Sequence, residues 1–72
     1  MKRLNAAKVE RVGRLVCGPL WQSELARSMG VSRQTVLRWV AGESEPSLEH
    51  TVKAKELVRA RIAELQRLLK VL

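Results

Sequence analysis

Between Trp21 and Gly42 the chain reads WQSELARSMGVSRQTVLRWVAG, and the order of small and apolar residues there leaves few folds open. Counted from Gln22, a small residue (Ala26) stands fifth and a glycine (Gly30) ninth. Apolar residues stand fourth, eighth, tenth, fifteenth and eighteenth, at Leu25, Met29, Val31, Val36 and Trp39. Each position has a geometric reason. Two short helices that cross steeply through a turn of three or four residues need a small side chain, Ala26, where they touch. Gly30 ends the first helix because a left-handed residue is cheapest without a Cβ. Val31 plugs the corner, and Ser32 can cap the next helix by accepting from its free N–H groups. A lone Gly or Ala would mean nothing. Seven constrained positions in register are a strong signal.

The pattern resembles the helix-turn-helix of the phage-repressor and Cro-like group of small regulators. At motif level the likeness runs from Trp21 to Pro46, with Asn5 to Leu20 fitting the preceding helix. The resemblance implies that Gln22, first in the motif, grips a backbone phosphate and helps orient the first side chain of the recognition helix. That side chain is Arg33, with Gln34 beside it. Two departures stand out. Trp21 occupies a place where many relatives put a Ser or Thr cap, and one long final helix replaces the usual two short ones.

The expected fold is all-α: a four-helix domain with a helix-turn-helix and a long C-terminal helix. Asn5 caps a first helix running to about Cys17, with Val9, Val12 and Val16 on one stripe. Gly13 lies on the same side, where a close crossing with another helix would justify a residue about 1 kcal/mol poorer than Ala in a helix. Gly18-Pro19 ends that helix. The second helix spans about Trp21 to Met29 and the third Arg33 to Ala41, stopped by Gly42. Glu43 to Pro46 is a polar linker, and Ser47 caps a last helix from Leu48 to near Leu72. Residues 1–46 form the DNA-binding unit, and 47–72 the helix for core packing and dimerisation.

At 1.5 Å per residue that last helix reaches about 37 Å, more than so small a domain needs. Val58, Ile62, Leu65, Leu69 and Leu72 alternate spacings of four and three, the seam of a coiled coil. Leu57 and Leu68 widen the stripe. Leu48 and Val52 are expected to pack on the first helix, and the downstream residues to pair with a second copy in a homodimer. Barely two heptads follow Val58, too few for a strong stand-alone coil. Each helix is therefore also expected to lean on its partner's body.

Charge agrees with a polyanionic partner. The 72 residues hold 14 Lys and Arg against seven acids, all Glu, for a net charge of +7; the isoelectric point is near 10.9. Basic proteins with other duties exist, so charge supports double-stranded DNA as the partner only together with the motif.

Val36, Trp39 and Val40 form the inward face of the third helix and leave Arg33, Gln34, Leu37 and Arg38 outward. Arg can pair bidentately with guanine and Gln with adenine, and the N-terminal end of a groove-inserted helix is where base readers sit. Arg33 and Gln34 are the expected readers. Leu37 either meets a thymine methyl or folds into the core. Gln22, Ser23, Ser32, Thr35 and Arg38 are candidates for phosphate, with capping the stronger role for Ser32. Lys2 and Arg3 form either a backbone arm or a frayed end. Trp21 and Trp39 are expected in the core.

Other chemistries find little support. One His (His50), one Cys (Cys17) and no carboxylate cluster at metal-ligand spacing leave neither a metal site nor catalytic machinery. Cys17 reads as a buried core thiol in a reducing compartment, and His50 as a surface residue. No cofactor, small-molecule ligand or membrane contact is expected. No apolar run follows Met-Lys-Arg, and the longest charge-free run, Leu15 to Ser23, is too short for a bilayer.

These features point to a cytoplasmic, bacterial or phage-encoded DNA-binding transcriptional regulator. The expected form is a homodimeric repressor or autorepressor on an inverted-repeat operator. Its size suits phage and mobile-element regulators, including anti-CRISPR-associated repressors, by analogy of fold. The alternatives are an excisionase-like architectural factor binding direct repeats, and an antitoxin-type module using its apolar tail to hold another protein.

Overall fold

A computed structural model describes residues 3–72, so Lys2 lies outside the described residues. Helix α1 spans Ala6–Val12, α2 Trp21–Met29, α3 Arg33–Val40 and α4 Leu48–Val71; no strand occurs among the described residues. The Asn5 side chain accepts from the Lys8 amide at 2.9 Å and starts α1. Past Val12 the helix does not stay regular to Cys17, as the sequence reading had it, but widens into a π-helical turn over Gly13–Cys17. Gly13 explains why the chain crosses closely here. Its backbone meets the Trp21 ring, and a Cβ in its place would overlap Trp21 Cε3.

Gly30 takes φ +71 and closes α2, with its own amide and that of Val31 turned back to the last turn of α2. Ser32 then caps α3, its hydroxyl accepting from the Thr35 amide at 3.1 Å. The two helices thus meet through the tight corner that the spacing demands. Val9, Trp21, Leu25, Ala26, Met29, Val36, Trp39 and Ala54 make the core. Both tryptophans are in it, as expected. Val12, Val40 and Leu57 pack at its edge, and Leu37 is half-buried, between its two expected fates.

The root of α4 differs from expectation. Leu48 and Val52 are exposed, at 45% and 41%, and the helix turns Thr51 and Ala54 to the body instead. Close approach, rather than hydrophobicity, selects this face. Ala54 lets the backbones near each other, and Thr51 carries two hydrogen bonds. Its Oγ1 donates to the Ser47 carbonyl at 3.1 Å and accepts from the Leu4 amide at 3.3 Å, tying the N-terminal segment to α4.

His50 also departs from the surface role assigned to it. Its Nδ1 accepts from the Ser47 amide at 3.2 Å while the Ser47 hydroxyl accepts from the His50 amide, so histidine completes a capping box. Its ring lies 5.0 Å from that of Trp39. Cys17 is half-buried rather than fully enclosed. Burial, with Glu24 nearby and Arg61 opposing, pushes its thiol pKa up. That disfavours the thiolate needed for metal binding or nucleophilic attack.

Candidate nucleic-acid interface

α2 begins without a side-chain cap, because Leu20 stands at its N-cap position and Trp21 is turned into the core. The first backbone N–H groups of the helix therefore have no side-chain acceptor, and a helix N-terminus in that condition attracts anions. The cap position falls on Leu20 and not on Trp21, the residue read from the sequence as replacing the usual cap, and leucine leaves those donors available. Around them the chain sets Arg14, Gln22, Ser23 and Arg33, which line one shallow recess of about 300 Å³ with Pro19, Leu20 and Trp21.

Two elements meet in that recess. Arg33 Nη2 donates to Gln22 Oε1 at 3.0 Å, from the first residue of α3 to the second of α2. The bond restricts a long side chain that would otherwise sample many rotamers, and aims the guanidinium from the N-terminal end of α3. Gln22 is half-buried while Arg33 is exposed. The glutamine is anchored and the arginine faces solvent.

The remaining candidates divide by position. Gln34 and Arg38 are exposed on α3 and Ser23 on α2, whereas Thr35 and Leu37 are half-buried. The Ser32 hydroxyl is engaged as the α3 cap and lies 3.0 Å from Thr35 Oγ1, so these two residues fix the start of the helix. Arg3 is exposed outside any helix. Leu57 is packed on the body's own core, Val58 is half-buried, and Ile62, Leu65, Leu68, Leu69 and Leu72 are 48–90% exposed.

Arg14 was not among the residues singled out from the sequence. It lies on the π-helical turn, pairs with Glu10 at 2.9 Å and places its guanidinium carbon 5.8 Å from the centre of the Trp21 ring. Its proximity to Gln22 depends on that widened turn. The sequence signal available was only its place next to Gly13, the residue marked for a close crossing.

Among the described residues no group of three or more His, Cys, Asp and Glu side chains could hold a metal ion, and no helix is long and apolar enough to cross a membrane. No curated protein and no solved structure matches the chain. Residues 21–53 match the family model described as helix-turn-helix, from the first residue of α2 into the second turn of α4. By that match and by the α2–α3 corner, this segment folds as a helix-turn-helix.

Proposed function

We propose that the protein is a sequence-specific transcriptional regulator that binds an inverted-repeat operator as a homodimer and represses by occupying a promoter. The observation that carries this reading is the Gln22–Arg33 hydrogen bond. It presents a bidentate donor where a recognition helix reads base edges, beside a cationic recess suited to phosphate. Arg33 and Gln34 are the base readers, favouring G and an adjacent A. Gln22, Ser23, Thr35 and Arg38 hold the backbone, while Ser32 chiefly caps and Leu37 offers a methyl contact. The exposed stripe of α4 supports the homodimer. The resemblance of the same segment to phage repressors and Cro-like proteins extends the reading to phage and mobile-element promoters, anti-CRISPR operons among them.

Selection from a random duplex pool tests it. The expected product is an inverted repeat whose half-site centres lie about 10 base pairs apart or a multiple of the helical turn. Enrichment of direct repeats, or of no motif, overturns the assignment.

Phosphate and base contacts separate by salt. Arg38→Ala should weaken operator and random DNA in similar proportion, and lower the magnitude of the salt slope by roughly 0.9. Gln22→Ala should do more damage to the operator, because it also releases Arg33. Titrations between about 50 and 200 mM salt measure both. A loss confined to the operator with an unchanged slope would make Arg38 a base reader.

A further inference from the structure

The body holds only the first part of α4. Thr51 and Ala54 are buried, Leu57 and Val58 half-buried, and Arg61 donates to the Val16 carbonyl; beyond that point the apolar stripe stands in solvent. Beside the place where the stripe leaves the body, α1, the widened turn and α4 enclose an apolar groove of about 420 Å³. Leu4, Val12, Leu15, Val58, Ile62 and Leu65 give its apolar lining. A second hollow of about 210 Å³ continues it toward Ala54 and Lys55. Leu15, on the wall formed by the widened turn, is 72% exposed although it lines this groove.

The chain therefore carries both an unfilled apolar groove and an uncovered apolar ridge. The ridge from Leu65 to Leu72 and the α4 side of the groove from Val58 to Leu65 each cover eight residues, about 10 Å of helix from first to last. We propose that two copies pair with their α4 helices antiparallel, so that the Leu65–Leu72 ridge of each fills the α1–α4 groove of the other. This rests on the homodimer reading and adds its orientation and a second contact surface, α1.

A two-fold axis crossing α4 between Ile62 and Leu65 sets Leu65 against the partner's Ile62 and Leu69 against the partner's Val58. Leu72 then reaches the hollow beside the partner's Ala54. One symmetric contact covers both surfaces, as an isologous interface must. A parallel coil would join ridge to ridge and leave the hollow near Ala54 uncovered. A foreign helix laid in the groove, even an acidic one matched to Lys8, Arg11 and Arg61 at its rim, would leave the ridge bare. Leu15, Ile62, Leu65, Leu68, Leu69 and Leu72 expose on the order of 700 Å² per chain, close to the ~800 Å² per partner of a standard interface.

Sedimentation equilibrium of the full chain separates the outcomes. The wild type should be a dimer at tens of micromolar, and Leu15→Glu should raise its dissociation constant at least tenfold, as should Leu69→Glu. Both positions are 72% exposed, so circular dichroism should report an unchanged fold. On a Cys17→Ala background, Val58→Cys and Leu69→Cys proteins should form a mixed disulfide when combined, in excess of either homodisulfide. A wild-type dimer that Leu15→Glu leaves intact, with Leu72→Cys crosslinking to itself, overturns the antiparallel arrangement and keeps the homodimer. A monomeric wild type overturns both and gives the groove to another molecule.

Discussion

Arg33→Ala is expected to lower operator affinity by about 1–3 kcal/mol per half-site while leaving random-sequence binding nearly unchanged. In a dimer the loss counts in both halves, about 2–6 kcal/mol, so the operator complex should weaken from about 30-fold to more than 10⁴-fold at fixed salt. The selectivity of the effect follows from geometry. The Arg33 guanidinium is held by Gln22 at 3.0 Å at the first turn of α3, from which, in the proposed complex, it would meet a base edge rather than only the backbone. A lysine there should rescue little, since it keeps the charge but not the planar fork that pairs with guanine. Oligonucleotide selection with the Ala protein should lose its preference at the G of each half-site. Recovery of the wild-type motif by Arg33→Ala would remove this residue from base recognition.

Gly13→Ala is expected to destabilise the fold although it improves helix propensity. Two effects oppose each other. Alanine gains up to about 1 kcal/mol over glycine in a helix, and Gly13 has φ −57, so no conformational penalty applies. Against that, the new Cβ would overlap Trp21 Cε3 and lie 2.8 Å from Cδ2. Trp21 is 3% exposed and cannot swing away without moving the start of α2. Overpacking of this kind costs about 1–3 kcal/mol, and the displaced backbone can raise it further. The net loss should be about 1–2 kcal/mol, a fall in Tm of roughly 5–15 °C for a domain of this length. Because Gln22 adjoins Trp21, DNA affinity should fall as well. Thermal melts of the purified variant decide it, and a raised Tm would mean that the ring relaxes at little expense.

What could be read from the sequence was what sterics dictates locally. Ala26, Gly30 and Ser32 each answer a demand made within a few residues, so the α2–α3 corner was legible position by position. The same holds for Asn5 and Ser47 as caps. The face of α4 turned to the body was not. Leu48 and Val52 looked like the packing residues because they are the larger hydrophobes, but the body approaches too closely for them and takes Ala54 and Thr51. His50 escaped notice as a capping residue because the usual partner at that position is Glu or Gln. Arg14 depends on a π-helical turn that periodicity does not reveal. In the candidate interface, the pairing of Gln22 with Arg33 was expected from the resemblance of the motif, and the structure supplies the bond and its 3.0 Å length.

The two ties at the root of α4 bear on how strictly an operator would have to be spaced. Leu4 is bonded to Thr51 at one level and the Val16 carbonyl to Arg61 ten residues farther along, so the helix is pinned to the N-terminal part of the body at two points rather than hinged at one. A lever pinned twice transmits its angle. In a dimer joined through α4, the distance and twist between the two heads would be set by the protein and not adjusted on the DNA. Adding one base pair between half-sites shifts them by about 3.4 Å and turns them by roughly a tenth of a revolution. A pinned pair would have to bend or twist the duplex to follow, at the energetic expense of deformation. The length of the spacer would then be read as strictly as the bases themselves.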